Sequence, residues 1–146
     1  MTQSAFVACD EKVVGTNRPR VLLGDDHVPF NDKLRSLLTP HFDVVGAAHD
    51  GEEVIAAAQR LRPDVIVLDI SMPGPSGIEV AKRLRREGCN AIIVFLSADD
   101  HLSDAAIEAG GSAYVSKSLA DSHLLQAITE AVAGWRYIAV RPDKGS

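Results

Sequence analysis

The chain has 146 residues, 46% of them hydrophobic, a size and composition suited to one packed domain. With 15 basic against 20 acidic residues the net charge is −5. That leaves no broad basic face for nucleic-acid phosphates, so no direct contact with nucleic acid is expected. No apolar run approaches the roughly 20 residues of a membrane-spanning helix, and the first ten residues lack a basic stretch followed by a long apolar one. A cytoplasmic domain without membrane insertion is expected.

Residues 1–18 show no sustained periodicity and read as a flexible N-terminal tail, followed by a domain over residues 19–138. The first strand is expected over Arg20–Gly24, and Phe30, Leu34, Leu37 and Leu38 then follow helical spacing. A second strand is expected over Asp43–Ala48. Asp50 with Glu53 resembles a capping box at the head of a helix marked by Val54, Ala58 and Leu61. Pro63 starts the turn into a third strand, Val65–Asp69, and Ile78, Ala81 and Leu84 mark the next helix, with Gly88 placed to end it. Residues 91–96 give a fourth strand. Leu102, Ala105, Ala106 and Ala109 form a small-residue helix before Gly110, able to lie close to a sheet and to move. A fifth strand is expected over Ala113–Ser116. Leu124, Ile128, Ala131 and Trp135 give a longer last helix, with Trp135 as a core-edge anchor, and residues 139–146 read as a C-terminal tail. Most of the strand runs are continuously apolar rather than alternating, the pattern of a parallel sheet covered on both faces.

In such a sheet the residues that follow the carboxyl ends of the strands converge on one rim, where ligands bind. The first strand runs into Asp25 and Asp26, the third ends in Asp69, the fourth reaches Ser97 and the fifth Lys117. Taken singly, an acidic pair is more often a turn or a helix cap, and Ser97 or Lys117 alone means almost nothing. Three carboxylates, a hydroxyl and an ammonium on one rim are not a set that packing would choose. Each pair of carboxylates 4 Å apart repels by on the order of 4 kcal/mol at an effective dielectric of 20, a cost that a divalent cation removes. Magnesium suits such oxygen ligands, because it is usually held by one or two carboxylates together with phosphate.

These residues resemble the receiver domains of bacterial two-component response regulators. The resemblance rests on Asp25-Asp26, on the turn Asp69-Ile70-Ser71-Met72-Pro73-Gly74 with Gly77, on Leu96-Ser97-Ala98, and on Ala113-Tyr114-Val115-Ser116-Lys117, in that order and spacing. It covers roughly residues 20–134. It implies a flavodoxin-like (βα)5 fold with a five-stranded parallel sheet in the order 2-1-3-4-5 and helices on both faces. It also implies that Asp69 accepts a phosphoryl group from a phosphohistidine donor. Asp26, Asp69 and the backbone carbonyl of Ser71 would bind Mg²⁺ directly, and Asp25 through water. Lys117 and Ser97 would contact the phosphoryl oxygens. Ser97 and Tyr114 would form the switch: Ser97 moves inward, Tyr114 turns into the vacated space, and the face of the fourth helix, fifth strand and fifth helix is remodelled. Ser71 and Asp99 match the positions that tune the phosphorylated lifetime. The implied partners are a sensor histidine kinase or a histidine phosphotransfer protein, then a downstream protein partner or a second copy. In this reading the chain is a phosphorylatable signalling receiver rather than an enzyme, one that assists its own phosphoryl transfer and dephosphorylation.

One departure concerns loop geometry, since Ser118 stands where many members of the family have proline after the lysine, as also happens in receivers of helix-turn-helix regulators. Three other functions fit the residues less well. A haloacid-dehalogenase type phosphohydrolase expects a second aspartate two residues after the first, where Ser71 stands. Nucleotide binding of the Rossmann type needs a Gly-rich turn in place of the acidic Gly24-Asp25-Asp26-His27. A receiver-like module that only docks partners is disfavoured by the presence of all five acceptor-site positions, Asp25, Asp26, Asp69, Ser97 and Lys117, and a phosphorylation assay decides. His27, His41, His49, His101 and His123 lack metal-ligand spacing and read as solvent-facing or capping residues, and Cys9 and Cys89 as reduced structural thiols.

Overall fold

A computed structural model describes residues 18–141. The expected tail up to residue 17, Cys9 included, and residues 142–146 lie outside the described residues. The elements follow in the order β1 (Arg20–Gly24), α1 (Val28–Leu38), β2 (Asp43–Ala48), α2 (Gly51–Leu61), β3 (Val65–Asp69), α3 (Gly77–Arg86), β4 (Ile92–Ser97), α4 (Ser103–Glu108), β5 (Ala113–Ser116), a 3-10 turn (Lys117–Leu119), α5 (Ala120–Val132) and β6 (Tyr137–Ala139).

The strands form one sheet in the order β2-β1-β3-β4-β5-β6, every neighbouring pair parallel. Its two faces explain the continuous apolar runs. Along β3, Ile66 and Leu68 join one core with Val54, Val80 and Phe95, while Val65 and Val67 join the other with Leu34, Leu124 and Ile128. Period-2 alternation is present, but it chooses between two buried faces, so every residue of β3 is buried.

Helix ends follow local chemistry. Asp50 accepts a hydrogen bond from the Glu53 N–H at 2.8 Å, but the Glu53 carboxylate turns to the His49 N–H rather than completing the expected box. The reciprocal box lies one helix later, where Ser76 and Glu79 cap α3 in both directions. Helix α4 is short, has no side-chain cap, and buries only Ala106.

The sheet departs from the expected five strands at its C-terminal edge. Helix α5 ends at Val132, Gly134 turns the chain with φ +96°, and residues 137–139 add a sixth strand alongside β5. The last apolar stripe therefore stops short of Trp135, which is 67% exposed and does not anchor the core. A three-residue strand is too short to leave a readable alternation, which is why the sequence pattern missed it. The packed framework also runs past the expected boundary at residue 138, since Ala139 is buried and pairs with Val115. At the other end, Arg18 donates to the carbonyls of Thr39 and Pro40.

Candidate functional site

The sheet register builds the site. Asp69, the last residue of β3, pairs with Leu96; Ser97 follows it on β4 and pairs with Ser116, and Lys117 comes next. Asp25 continues β1, its N–H donating to the Ala48 carbonyl at 3.0 Å. All the residues expected on the rim therefore meet there. One ligand oxygen from each of Asp25, Asp26 and Asp69 lies within 4.8 Å of the others.

The cluster is held by the backbone around it. Asp25 Oδ1 accepts the His27 N–H at 2.8 Å, and Asp69 Oδ1 accepts the Ser71 N–H at 3.1 Å. His27 itself caps α1, its Nδ1 accepting from the Phe30 N–H, so it is a capping histidine as expected. Lys117 lies between the two buried carboxylates, with Nζ 2.8 Å from Asp25 Oδ2 and 3.1 Å from Asp69 Oδ2. Its ammonium also sits 4.9 Å above the centre of the Phe30 ring.

Burial first, and then the charge of Asp25, push the Asp69 carboxyl above its ordinary value; Lys117 and the Ser71 N–H pull downward without overcoming them. Burial works against the charged form of Lys117, but the contact with Asp25 and the charge of Asp69 outweigh it and hold the ammonium above its ordinary value. One cation does not satisfy the cluster. Asp25 is only 1% exposed, and its Oδ2, although ion-paired with Lys117, accepts no hydrogen bond of good geometry among the described residues. A buried carboxylate oxygen without an aligned donor, beside two more carboxylates, fits a hard divalent cation.

Ser97 is buried, and its Oγ accepts the Asp99 N–H at 2.9 Å, which leaves its own proton available to donate. Tyr114 already occupies the inward position: its ring is fully buried, and its hydroxyl donates to the Asp99 carbonyl and accepts the Leu102 N–H. The 3-10 turn after Lys117 accommodates Ser118, whose hydroxyl lies 3.1 Å from Ser116 Oγ.

Two residues of the site escaped the sequence reading. Asn31 is buried, and its Nδ2 donates to the Asp25 carbonyl at 2.8 Å. A polar residue three positions before Leu34 on an apolar stripe was its signal. Phe30, under the Lys117 ammonium, carries in sequence only the helical spacing of that stripe.

The response regulator receiver domain family matches this chain over residues 21–129. The chain belongs to that family. This receiver domain is 36% identical over 118 residues to the nitrate/nitrite response regulator protein NarL of Escherichia coli strain K12, covering 78% of this chain and 55% of that protein. It is 38% identical over 129 residues to NarP of the same strain, covering 86% of this chain and 60% of that protein. The chain therefore spans little more than half the length of these relatives. Among solved structures, a two-component response regulator of the LuxR family from Aurantimonas sp. SI85-9A1 superposes with a TM-score of 0.78 at 34% identity, covering 88% of this chain and 93% of that one. No helix among the described residues is long and apolar enough to cross a membrane.

Proposed function

We propose that this receiver accepts a phosphoryl group on Asp69 from a phosphohistidine of a sensor histidine kinase or histidine phosphotransfer protein, and signals through the face formed by α4, β5 and α5. The observation that carries the reading is the convergence of Asp25, Asp26, Asp69 and Lys117, with a buried carboxylate oxygen left without an aligned donor.

A carboxylate oxygen of Asp69 forms the new bond to phosphorus as the phosphorus–nitrogen bond of the donor breaks, the electron pair leaving with the imidazole. Asp25, Asp26, Asp69 and the Ser71 carbonyl would hold Mg²⁺, which when bound supplies charge neutralisation for the incoming phosphoryl group. Lys117 exchanges part of its contact with Asp69 for a phosphoryl oxygen, and Ser97 donates its free proton to another. Because Tyr114 is already buried behind Ser97, phosphorylation acts by fixing Ser97 and the loop after it, rather than by drawing the ring in. The same site then lets water release the phosphoryl group. Readout passes to a downstream protein or a second copy in the cytoplasm; with a net charge of −5 the domain itself holds no nucleic acid.

The test is incubation with Mg²⁺ and acetyl phosphate, or with a purified histidine kinase, followed by intact-mass measurement. Wild type gains one phosphoryl adduct and Asp69→Asn gains none. An unmodified wild type would leave a receiver that only docks partners, and an adduct on both proteins would move the acceptor elsewhere.

A further inference from the structure

Because β6 runs parallel to β5, its carboxyl end points toward the rim that carries the acceptor site. Arg141 Nε donates to Asp100 Oδ2 at 2.8 Å, linking the end of the sixth strand to the loop between β4 and α4. Arg141 is delivered there by an anchored strand. The Tyr137 N–H donates to the Ser112 carbonyl, Ala139 is buried against β5, and the Tyr137 hydroxyl lies 2.8 Å from His123 Nδ1 on α5.

The pair stands at the mouth of the site. Arg141, Asp100, Asp99, His101, Ala98 and Ser71 line one cleft of about 440 Å³. The Ser71 N–H holds Asp69 Oδ1, and the Asp99 N–H holds Ser97 Oγ, so the cleft is bounded by the two turns that orient the acceptor carboxylate and the hydroxyl beside it. The next turn residue is fixed as well, since the His101 N–H donates to Asp99 Oδ1. Arg141 first, and then the Ser116 hydroxyl, hold the Asp100 carboxyl below its ordinary value, although Asp100 Oδ1 accepts no hydrogen bond of good geometry among the described residues. Arg141 is thus the main partner of that carboxylate.

We propose that Arg141 is a positioning residue for phosphoryl turnover: by holding Asp100 it fixes the turn over residues 99–101, and so couples docking of β6 to the lifetime of phosphorylated Asp69. The inference rests on the reading of Asp69 as the acceptor. In hydrolysis a water oxygen bonds to phosphorus, the bond from phosphorus to the Asp69 oxygen breaks, and the carboxylate and inorganic phosphate are released. With the turn held, Ser97 keeps its place against the phosphoryl group. With the pair broken, the turn loosens, Ser97 donates less steadily, and hydrolysis speeds up.

The full chain is phosphorylated with acetyl phosphate and Mg²⁺, the donor is removed, and loss of the adduct is followed by intact mass for wild type, Arg141→Gln, Asp100→Asn, Arg141→Lys and the charge exchange Asp100→Arg with Arg141→Asp. Both single neutralisations should shorten the lifetime roughly two- to fivefold, as for an ion pair with its cation in solvent. Arg141→Lys should fall between them and wild type, and the charge exchange should recover most of the loss. Amide exchange over residues 99–102 should rise in the same variants, while the melting temperatures of Arg141→Gln and Arg141→Lys stay close to wild type because the Arg141 side chain is 57% exposed. An unchanged lifetime in Arg141→Gln, or a charge exchange as short-lived as the single variants, overturns the role of Arg141 alone. A wild type that takes up no phosphoryl group removes the acceptor reading and this inference with it.

Discussion

The two halves of the rim are built differently. On the side of β1 and β3 the two buried acidic groups are gripped by the backbone: Asp25 is held by the His27 N–H and the Asn31 side chain, and Asp69 by the Ser71 N–H, with its carbonyl against Gly77 at the head of α3, whose first turn carries a complete capping box. On the side of β4 and β5, α4 has six residues, no side-chain cap and one buried alanine. The loop leading into it is held by a few directional bonds, from Ser97, from the Tyr114 hydroxyl and from Arg141. Phosphoryl transfer needs charges fixed in alignment, whereas a reporter must have two arrangements close in energy. The packing assigns rigidity to the first task and freedom to the second.

The largest effect should come from overfilling the fixed half. A Cβ on Gly77 would stand 2.3 Å from the Asp69 carbonyl oxygen and 2.8 Å from the Ile70 Cα, both backbone atoms that have nowhere to go. Gly77→Ala should cost about 2–3 kcal/mol of stability and displace the Asp69 turn. Urea unfolding and phosphoryl uptake check it together. If uptake falls while stability holds, the contact shapes only the site; if neither changes, this half is not rigid.

A second, smaller effect separates the halves by charge. The folded Asp69 carboxyl is held above its unfolded value of about 3.8, so between the two values the native state binds more protons than the unfolded one. Its contribution to stability therefore falls as pH rises through that window, and above the folded value the full penalty remains. Metal-free wild type should gain stability relative to Asp69→Asn as pH is lowered from neutral through that window, and Asp69→Asn should be the more stable at pH 7. At Mg²⁺ ten times its dissociation constant, linkage adds about 1.4 kcal/mol to wild type. Asp100, whose carboxyl is shifted the other way, acts below 3.8 and cancels in the comparison. Parallel pH profiles for the two proteins, or no stabilisation by millimolar Mg²⁺, would mean that Lys117 already satisfies the cluster.

The fixed half was the more legible in sequence. Asp25, Asp26 and Asp69 each follow an apolar strand, and parallel pairing alone brings such residues to one rim. Strands β1, β3, β4 and β5 were readable because burial on both faces makes them continuously apolar. What the pattern could not give came from short or irregular pieces. The three-residue β6 leaves no alternation, Gly134 ends α5 before the stripe reaches Trp135, and Arg141 reaches Asp100 across 41 positions of sequence. Asn31 was hidden differently, because a polar residue on a buried stripe has no periodicity to announce its partner. The inward placement of Tyr114 was not readable at all, since a buried and an exposed ring have the same sequence.

The smallest expected effect belongs to the movable half and tests whether its bonds can be broken alone. Tyr114 fills its space with the ring, and its hydroxyl bonds the β4–α4 loop through the Asp99 carbonyl and the Leu102 N–H. Tyr114→Phe keeps the ring and removes both bonds, so global stability should drop by about 1 kcal/mol, the low end of about 0.5–1.5 kcal/mol for each of two bonds, because the freed groups of exposed Asp99 and half-buried Leu102 can turn to water. The change should be confined. Amide exchange should rise for Leu102 and its neighbours in α4, while the amides of Ser71 and His27, which hold the carboxylates, keep their wild-type protection. Phosphoryl uptake should persist, because no group that touches Asp69 has been altered, but the difference in exchange over α4 between free protein and its beryllofluoride complex should shrink. Equal loosening around Ser71 and α4 would show that the two halves move as one unit, and the division of labour drawn from their packing would not stand.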